Sequence, residues 1–211
     1  MKNFTLAAIA VLLLVASGNA QKKSSSKKMD QGTSSNGWVA VDSATAMQKY
    51  MEAAAVGEEH KGLASSEGSW TGKATMWMGK GAPPIMSDMK MDVKMLLGGR
   101  YQESTYSGDM GGMPFSGVAT IGYDNYKKKY FSTSVDNMGT GMIYMEGWYD
   151  PATKTYTFDG DYPNPANGVT CHLKQVYKIV DADTEIMEMW GPDQTTGEMY
   201  KTMVINFTRT K

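Results

Sequence analysis

From Gly68 to the end of the chain, apolar and polar residues alternate with a period of two. The clearest run lies at 88–97, where one face carries Met89, Met91, Val93, Met95 and Leu97 and the other carries Asp88, Lys90, Asp92 and Lys94. Such alternation is typical of a β-strand with one buried and one solvated face. We therefore predict a strand here, with its methionines on the buried side.

Similar runs predict further strands at 70–78, 100–106, 115–123, 129–135, 142–149, 155–158, 170–180, 184–190 and 199–209. Turn sequences separate them, and no helical periodicity intervenes. Consecutive hairpins form an antiparallel up-and-down meander, and closing it into a barrel removes its unpaired edges. The sequence thus predicts an all-β barrel of about ten strands, and a two-sheet sandwich is the alternative.

A short helical segment is predicted before the strands. Asp42 and Ser43 are suited to cap a helix, and apolar residues follow at helical spacing at Met47, Tyr50, Met51 and Ala54. Gly57 is expected to end this helix, and a second short turn of helix is expected over 58–64. We assign 38–64 to an N-terminal helical segment and 65–211 to the barrel domain.

The start of the chain predicts export. A basic start at Lys2, an apolar run over 6–16 and small residues up to Ala20 indicate a signal peptide over 1–20, cleaved near Ala20. The apolar run is too short to be a membrane anchor, which takes about 20 residues. We expect a periplasmic or extracellular protein with no membrane span, whose residues 21–37 form a disordered basic and Ser-rich linker.

Composition excludes several classes of protein. With 21 basic and 22 acidic residues the chain has no overall basic footprint for nucleic acid. One cysteine excludes an internal disulfide and a multi-cysteine zinc site, and two histidines leave little for metal binding or acid–base chemistry. No nucleophile elbow, phosphate loop or dinucleotide motif is present. We find no assembled catalytic constellation and expect no cofactor and no resident metal.

Several short motifs occur in a fixed order: His60-Lys61-x-Leu63, Gly68-Ser69-Trp70, Gly98-Gly99-Arg100-Tyr101, Pro114-Phe115-x-Gly117, Gly122-Tyr123-Asp124, Lys129-Tyr130, Gly147-x-x-Asp150 and Phe207-Thr208-Arg209. This series, over 57–211, resembles the bacterial domain-of-unknown-function family 1579. The resemblance implies a secreted single domain with a lipocalin-like or calycin-like barrel. It implies no activity, ligand or catalytic residue.

A barrel of this size can enclose a small-ligand cavity, although a solid core is the alternative. Arg100 and Arg209 are the only arginines, and the guanidinium group suits an anionic ligand head. Alternatively, they pair with an acid such as Glu103 or stack on a ring such as Trp70. The candidate ligand-binding residues are Arg100, Arg209, Trp70, Met76, Met91, Met95, Phe115, Met203 and Phe207.

The 19 methionines suggest a second function, because thioethers bind Cu(I). Spaced pairs occur at Met76-x-Met78, Met89-x-Met91 and Met187-x-Met189, and a Gly-rich loop carries Met110 and Met113. Residues two apart share a face of a strand, however, so the spaced pairs also fit a buried core or a cavity lining. The loop pair is the better test of copper binding.

The remaining chemistry is sparse. Cys171 and His172 are adjacent on a strand and should point to opposite faces, so we expect no catalytic pair. His60 is expected at the surface or as a helix cap. The favoured function is non-covalent binding of a small apolar or amphipathic ligand. The alternative is an envelope scaffold with a protein partner, contacted through exposed aromatics at Trp38, Tyr126, Tyr149 and Tyr162.

Overall fold

The computed structural model describes residues 36–211. The chain divides into two units, one ending at Asp42 and one spanning Ser43–Lys211. In the described part of the first unit, the Trp38 amide donates a hydrogen bond to the Asn36 side chain. The predicted signal peptide, and the predicted linker up to residue 35, lie outside the described residues. They stay predictions.

The second unit begins with short helices and continues as ten strands. The helices are α1 (Ser43–Ala54), α2 (Glu58–Leu63) and the 3-10 helix η1 (Ala64–Ser66). The strands are β1 (Gly68–Met76), β2 (Ile85–Leu96), β3 (Tyr101–Met110), β4 (Met113–Asp124), β5 (Lys129–Asp136), β6 (Ile143–Asp150), β7 (Thr155–Pro163), β8 (Thr170–Ile179), β9 (Thr184–Pro192) and β10 (Met199–Arg209). Among the described residues, no helix has the length and apolar character to cross a membrane.

Each strand pairs antiparallel with its neighbours in sequence, and β1 pairs with β10 to close the sheet. The closing register runs from Trp70 opposite Arg209 to Met76 opposite Met203. The prediction of an all-β, up-and-down barrel with a short N-terminal helix is confirmed. The sandwich alternative is wrong, because one continuous sheet contains all ten strands.

The two ends of the barrel differ. Loops at 77–84, 111–112, 137–142, 164–169 and 193–198 meet at one end, which we call the open end. The turns at 97–100, 125–128, 151–154 and 180–183 meet at the other, together with α2 and η1, and we call this the closed end. Leu63 and Ser66 of these helices are buried, so this end is covered.

Inside the barrel, alternation produces two buried clusters. The first contains Trp70, Ala74, Met89, Met91, Val93, Met187, Ile205 and Phe207. The second contains Leu63, Tyr130, Met145, Tyr156 and Phe158. Buried aromatic rings contact one another in the second cluster, with ring centroids of Tyr130 and Tyr156 5.1 Å apart. These clusters fill the barrel from its closed end as far as Met89, Met145, Met187 and Ile205.

The apolar face predicted for α1 is not buried. Met47, Tyr50 and Met51 are all exposed. The helix is instead held by polar contacts at its C-terminal end, where the Arg100 guanidinium donates to the Ala54 carbonyl at 2.9 Å. The Asn125 amide likewise donates to carbonyl oxygens of Ala53 and Ala55.

Two methionines of the predicted strands do not lie in the interior. β1 ends at Met76, so Met78 lies in the following loop and is exposed. In β10 the register shifts between Lys201 and Met203, and Met199 is exposed. A bulge of this kind places an extra residue in one strand and breaks the alternation.

Gly147 lies where β6 approaches β7 too closely for a side chain. A Cβ atom there would stand 2.1 Å from the Thr157 carbonyl oxygen and 2.7 Å from the Phe158 ring. Because both neighbours belong to the paired strand and the core, neither can move cheaply.

We therefore expect Gly147→Ala to lower the free energy of unfolding by about 1–3 kcal/mol, measured by urea denaturation. Gly139→Ala is the matched control, because a Cβ at Gly139 meets nothing within 4 Å. The control should change stability by less than about 0.5 kcal/mol. Equal denaturation midpoints for the two variants would contradict this account.

Candidate functional site

A cavity of about 120 Å³ lies inside the barrel at its open end. Seven methionines line it: Met76, Met89, Met110, Met145, Met187, Met189 and Met203. Other apolar lining side chains come from Tyr106, Phe115, Ala119, Ile143 and Ile205. The lining residues lie on nine of the ten strands, so the closed sheet positions the site as a whole.

The methionine lining follows from strand alternation. On β9, Met187 and Met189 face inward, while Glu188 between them faces outward and pairs with Lys201 at 2.6 Å. The spaced methionine pair on this strand is therefore cavity lining. In the Gly-rich hairpin, Met110 lines the cavity and its register partner Met113 is exposed.

One wall of the cavity is polar. Ser132, Ser134 and Asp136 alternate inward along β5, and Gln175 of β8 adds an amide. An apolar cavity with a few polar groups on its wall is the usual form of a small-molecule site. Sequence reasoning missed this wall because serines on a strand indicate a solvated face. The available signal in the sequence was Tyr130, because this aromatic residue lies on the same face of β5 as Ser132 and Ser134.

The size of the cavity limits its contents. Sites for drug-sized ligands enclose about 300–1,000 Å³, whereas a cavity of about 150 Å³ accommodates a single benzene ring. At about 120 Å³ this cavity admits one small ring or the end of an apolar chain. Methionine side chains are flexible and unbranched, so they allow the cavity to adapt in shape.

The predicted site residues divide into two groups along the barrel. Met76, Phe115 and Met203 line the cavity. Trp70, Met91 and Phe207 also face inward but are packed in the solid first cluster. Met95 is partly buried against the second cluster. The interior is thus solid at one end and hollow at the other.

Both arginines lie at the closed end, away from the cavity. The Arg209 guanidinium lies over the Trp70 ring, 4.1 Å from its centroid. It donates hydrogen bonds to the carbonyl oxygens of Ala182 at 2.8 Å and Ser65 at 2.9 Å, and also to that of Glu67. Stacking of an arginine on Trp70 was the alternative to ligand binding in the sequence analysis.

Arg100 is occupied in a similar way. It donates to the carbonyl oxygens of Leu97 at 3.0 Å and Ala54 at 2.9 Å. Glu103, the acid suggested as its partner, pairs with Lys94 at 2.8 Å. The structure therefore does not bring either guanidinium to the cavity as the holder of an anionic head.

A buried polar network joins the closed end to the barrel wall. The Glu185 carboxylate, 1% exposed, accepts hydrogen bonds from the Ser66 hydroxyl at 2.6 Å and the Tyr177 hydroxyl at 2.7 Å. The Trp70 indole donates to the Ser66 carbonyl, and Gln102 donates to the Leu63 carbonyl. In the sequence, the signal for this network was Glu185, an acidic residue on the same face of β9 as Met187.

Burial changes the ionisation of the interior tyrosines. Burial raises the pKa of Tyr106 to about 12, and the nearby Glu185 acts in the same direction. Burial likewise raises the pKa of Tyr130 to about 12 and that of Tyr177 well above its usual value. These hydroxyls therefore stay protonated near neutral pH, and that of Tyr177 donates a hydrogen bond to the Glu185 carboxylate.

The histidines do not form a catalytic site. His60 is buried rather than at the surface, because its ring packs edge-on against Tyr123, and its Nδ1 accepts a hydrogen bond from the Gly57 amide as a helix cap. The prediction of a cap is confirmed and that of a surface position is wrong.

His172 lies on the outer wall between Asp159 and Asp161, at 3.0 Å from each. Hydrogen bonds raise the pKa of His172, and the bond to Asp161 has a larger effect than the bond to Asp159. Cys171 lies on the opposite face of β8, so the two residues do not meet, as predicted. In the part of the chain that the structure describes, no group of three His, Cys, Asp or Glu residues could hold a metal ion.

Comparison with known proteins places this barrel in a family. Residues 55–209 match the family described as "Protein of unknown function (DUF1579)". The chain belongs to the DUF1579 family. The family resemblance found in the sequence is thereby confirmed. No curated protein sequence matches the chain significantly.

Among solved structures, this DUF1579 protein is similar to the S-type phycobiliprotein lyase CPES from Guillardia theta. The TM-score is 0.54 at 10% sequence identity, and the match covers 77% of this chain and 97% of the lyase. At this level of identity the similarity shows a shared lipocalin-like fold alone.

The interior tyrosines predict a loss of stability in alkali. Tyrosine in the unfolded chain ionises near pH 10. Because Tyr106 ionises near 12 in the folded protein, its contribution is intact below pH 10 and is lost as the pH rises from 10 to 12. At pH 11 this one residue should lower the free energy of unfolding by about 1.4 kcal/mol.

Urea denaturation at pH 8 and pH 11 measures this loss. Tyr106→Phe should show a smaller loss between the two pH values than the wild type. Tyr50→Phe, on the exposed face of α1, should show the full loss. The same pH dependence in both variants would mean that Tyr106 is not held protonated by the fold.

Proposed function

We propose that this DUF1579 protein, after export, binds a small apolar or amphipathic molecule non-covalently. The apolar part of the molecule enters the cavity, and its polar end faces the open end. The methionine-lined cavity beside the polar wall of β5 carries this proposal. The fold shared with a phycobiliprotein lyase is consistent with small-ligand binding.

The charge at the open end favours a neutral or cationic ligand end. Asp136 is the one charged residue among those that line the cavity. Its carboxylate also accepts a hydrogen bond from the Met138 amide at the start of the adjoining loop. Arg100 and Arg209 are at the closed end, so no guanidinium is available to hold an anionic head in the cavity. Like charges in a desolvated site repel, and a carboxylate or sulfonate head is therefore disfavoured.

Two matched fluorescent probes test this proposal. N-phenyl-1-naphthylamine is neutral, and 1-anilinonaphthalene-8-sulfonate is the same ring system with a sulfonate. We expect one ring of each probe to enter the cavity while the rest of the molecule lies in the open end. We expect the neutral probe to bind at least about tenfold more tightly in a fluorescence titration, which corresponds to about 1.4 kcal/mol.

A filled cavity should weaken this binding. Ala119→Phe places a ring in the cavity and should weaken binding of the neutral probe at least about tenfold. Thr120→Phe is the matched control, because residue 120 lies on the outer face of the same strand. Arg209→Lys, at the far end, should lower stability and leave probe affinity unchanged. Equal affinity in Ala119→Phe and Thr120→Phe, with both variants folded by circular dichroism, would exclude the cavity as the site.

Binding of Cu(I) is the second candidate, and the convergence of seven thioethers on one cavity favours it. Anaerobic titration with Cu(I) under reducing conditions tests it. This candidate predicts that Met110→Leu combined with Met189→Leu weakens Cu(I) binding, while Met47→Leu on α1 does not. Equal Cu(I) affinity in the wild type, the double variant and Met47→Leu would exclude the cavity as the copper site.

The envelope-scaffold alternative has less support. Tyr126 is 89% exposed, but it lies at a closed-end turn. Tyr149 packs on Tyr156 with ring centroids 4.4 Å apart, and Tyr162 is half-buried on the part of β7 towards the open end. These three tyrosines of the barrel unit therefore do not form one contact surface. Trp38 is exposed and belongs to the other unit.

A further inference from the structure

Exposed methionines surround the open end of the barrel. We call six of them the rim methionines: Met78, Met86, Met113, Met138, Met142 and Met199. Their side chains are between 43% and 76% exposed. Each lies in a loop of the open end or at the strand terminus beside one. Four of the five loops at this end are represented.

Two of the rim methionines adjoin the lining of the cavity. Met113 is the register partner of Met110, and Met110 lines the cavity. Met78 follows shortly after Met76, another lining residue, along the same stretch of chain. Met78 and Met113 therefore lie beside the entrance to the cavity, whereas Met86 alternates in phase with the exposed Asp88 and lies on the outer wall of β2.

Packing does not explain the rim methionines. None of the six belongs to either buried cluster. By contrast, Met91 and Met145 lie in those clusters and are almost inaccessible to solvent. The described thioethers therefore range from the exposed methionines of the rim and of α1, which are open to dissolved reactants, to Met91 and Met145, which the barrel encloses.

We propose that the rim methionines are a modification site for small two-electron oxidants such as hydrogen peroxide. In this step a sulfur lone pair attacks one peroxide oxygen, a sulfur–oxygen bond forms and the oxygen–oxygen bond breaks. Proton transfer converts the departing oxygen to water. The sulfur is oxidised by two electrons to a sulfoxide, and the peroxide is reduced.

Oxidation of the rim changes the polarity of the entrance. A sulfoxide is polar, whereas a thioether is apolar and adaptable. Oxidation should therefore weaken the binding of an apolar ligand while leaving the barrel folded, because the core methionines are not involved. This consequence for binding rests on the proposed function. The modification itself does not, and methionine sulfoxide reductases can reverse it.

Limited treatment of the full chain with hydrogen peroxide tests the modification. Peptide mapping by mass spectrometry then follows the gain of one oxygen atom at each methionine. We expect the rim methionines to be oxidised at least about tenfold faster than Met91 and Met145. Equal rates for the rim and these core methionines in the folded protein would overturn the assignment.

The effect on binding is measured on the same samples with N-phenyl-1-naphthylamine. Oxidation confined to the rim should weaken binding about tenfold without changing the circular dichroism spectrum. A variant with all six rim methionines replaced by leucine should bind the probe and be insensitive to peroxide. Met47→Leu with Met51→Leu, which removes exposed methionines of α1, should keep the wild-type sensitivity.

The possible failures are distinguishable. If the untreated protein does not bind the probe, the proposed function fails, while the oxidation rates still decide whether the rim is the modification site. If the untreated protein binds the probe and rim oxidation leaves its affinity unchanged, the coupling between modification and binding is wrong. If the six-leucine variant remains sensitive to peroxide, another methionine controls binding.

Discussion

The pairing of β1 with β10 is the constraint on which the rest of the structure depends. It joins the first and last strands along a register from Trp70 opposite Arg209 to Met76 opposite Met203. Without it the sheet would have two unpaired edges, and its methionine-rich face would be open to water. The Arg209 guanidinium secures the closed-end terminus of this seam by lying over Trp70 and binding carbonyl oxygens of the segment that precedes β1. Closure of the barrel therefore buries one face of the alternating strands and leaves the other face exposed.

The two ends of the barrel are built from different interactions. At the closed end, large side chains pack together around a buried polar network centred on Glu185. At the open end, the same inward positions carry flexible methionines and small residues such as Ala119 and Ser132, and space remains. The rigid end can hold the strands in register while the adaptable end changes shape. This division allows a binding site to form without weakening the seam.

The fold was predictable because it rests on alternation, which is a local property of the sequence. The site was only partly predictable, since Met91 and Met76 have the same alternation but lie in the core and at the cavity respectively. Their difference depends on which end the N-terminal helices cover, a property of the closed barrel. The bulge between Lys201 and Met203 and the exposed face of α1 have the same cause, because tertiary contacts decide them. Arg209 was predicted to bind a ligand because of its guanidinium group. That group instead donates to backbone carbonyl oxygens, whose positions the sequence does not reveal.

Methionine itself connects the two properties proposed for the open end. Leucine or isoleucine would also make the cavity apolar, but their branched side chains hold fewer conformations and would fix its shape. An unbranched thioether adapts to ligands of different outline because its torsions are soft and its sulfur is polarizable. The sulfur lone pairs of the exposed rim methionines react with oxidants. A barrel that uses methionine both in its cavity and around its open end therefore combines an adaptable lining with a rim that is sensitive to oxidation.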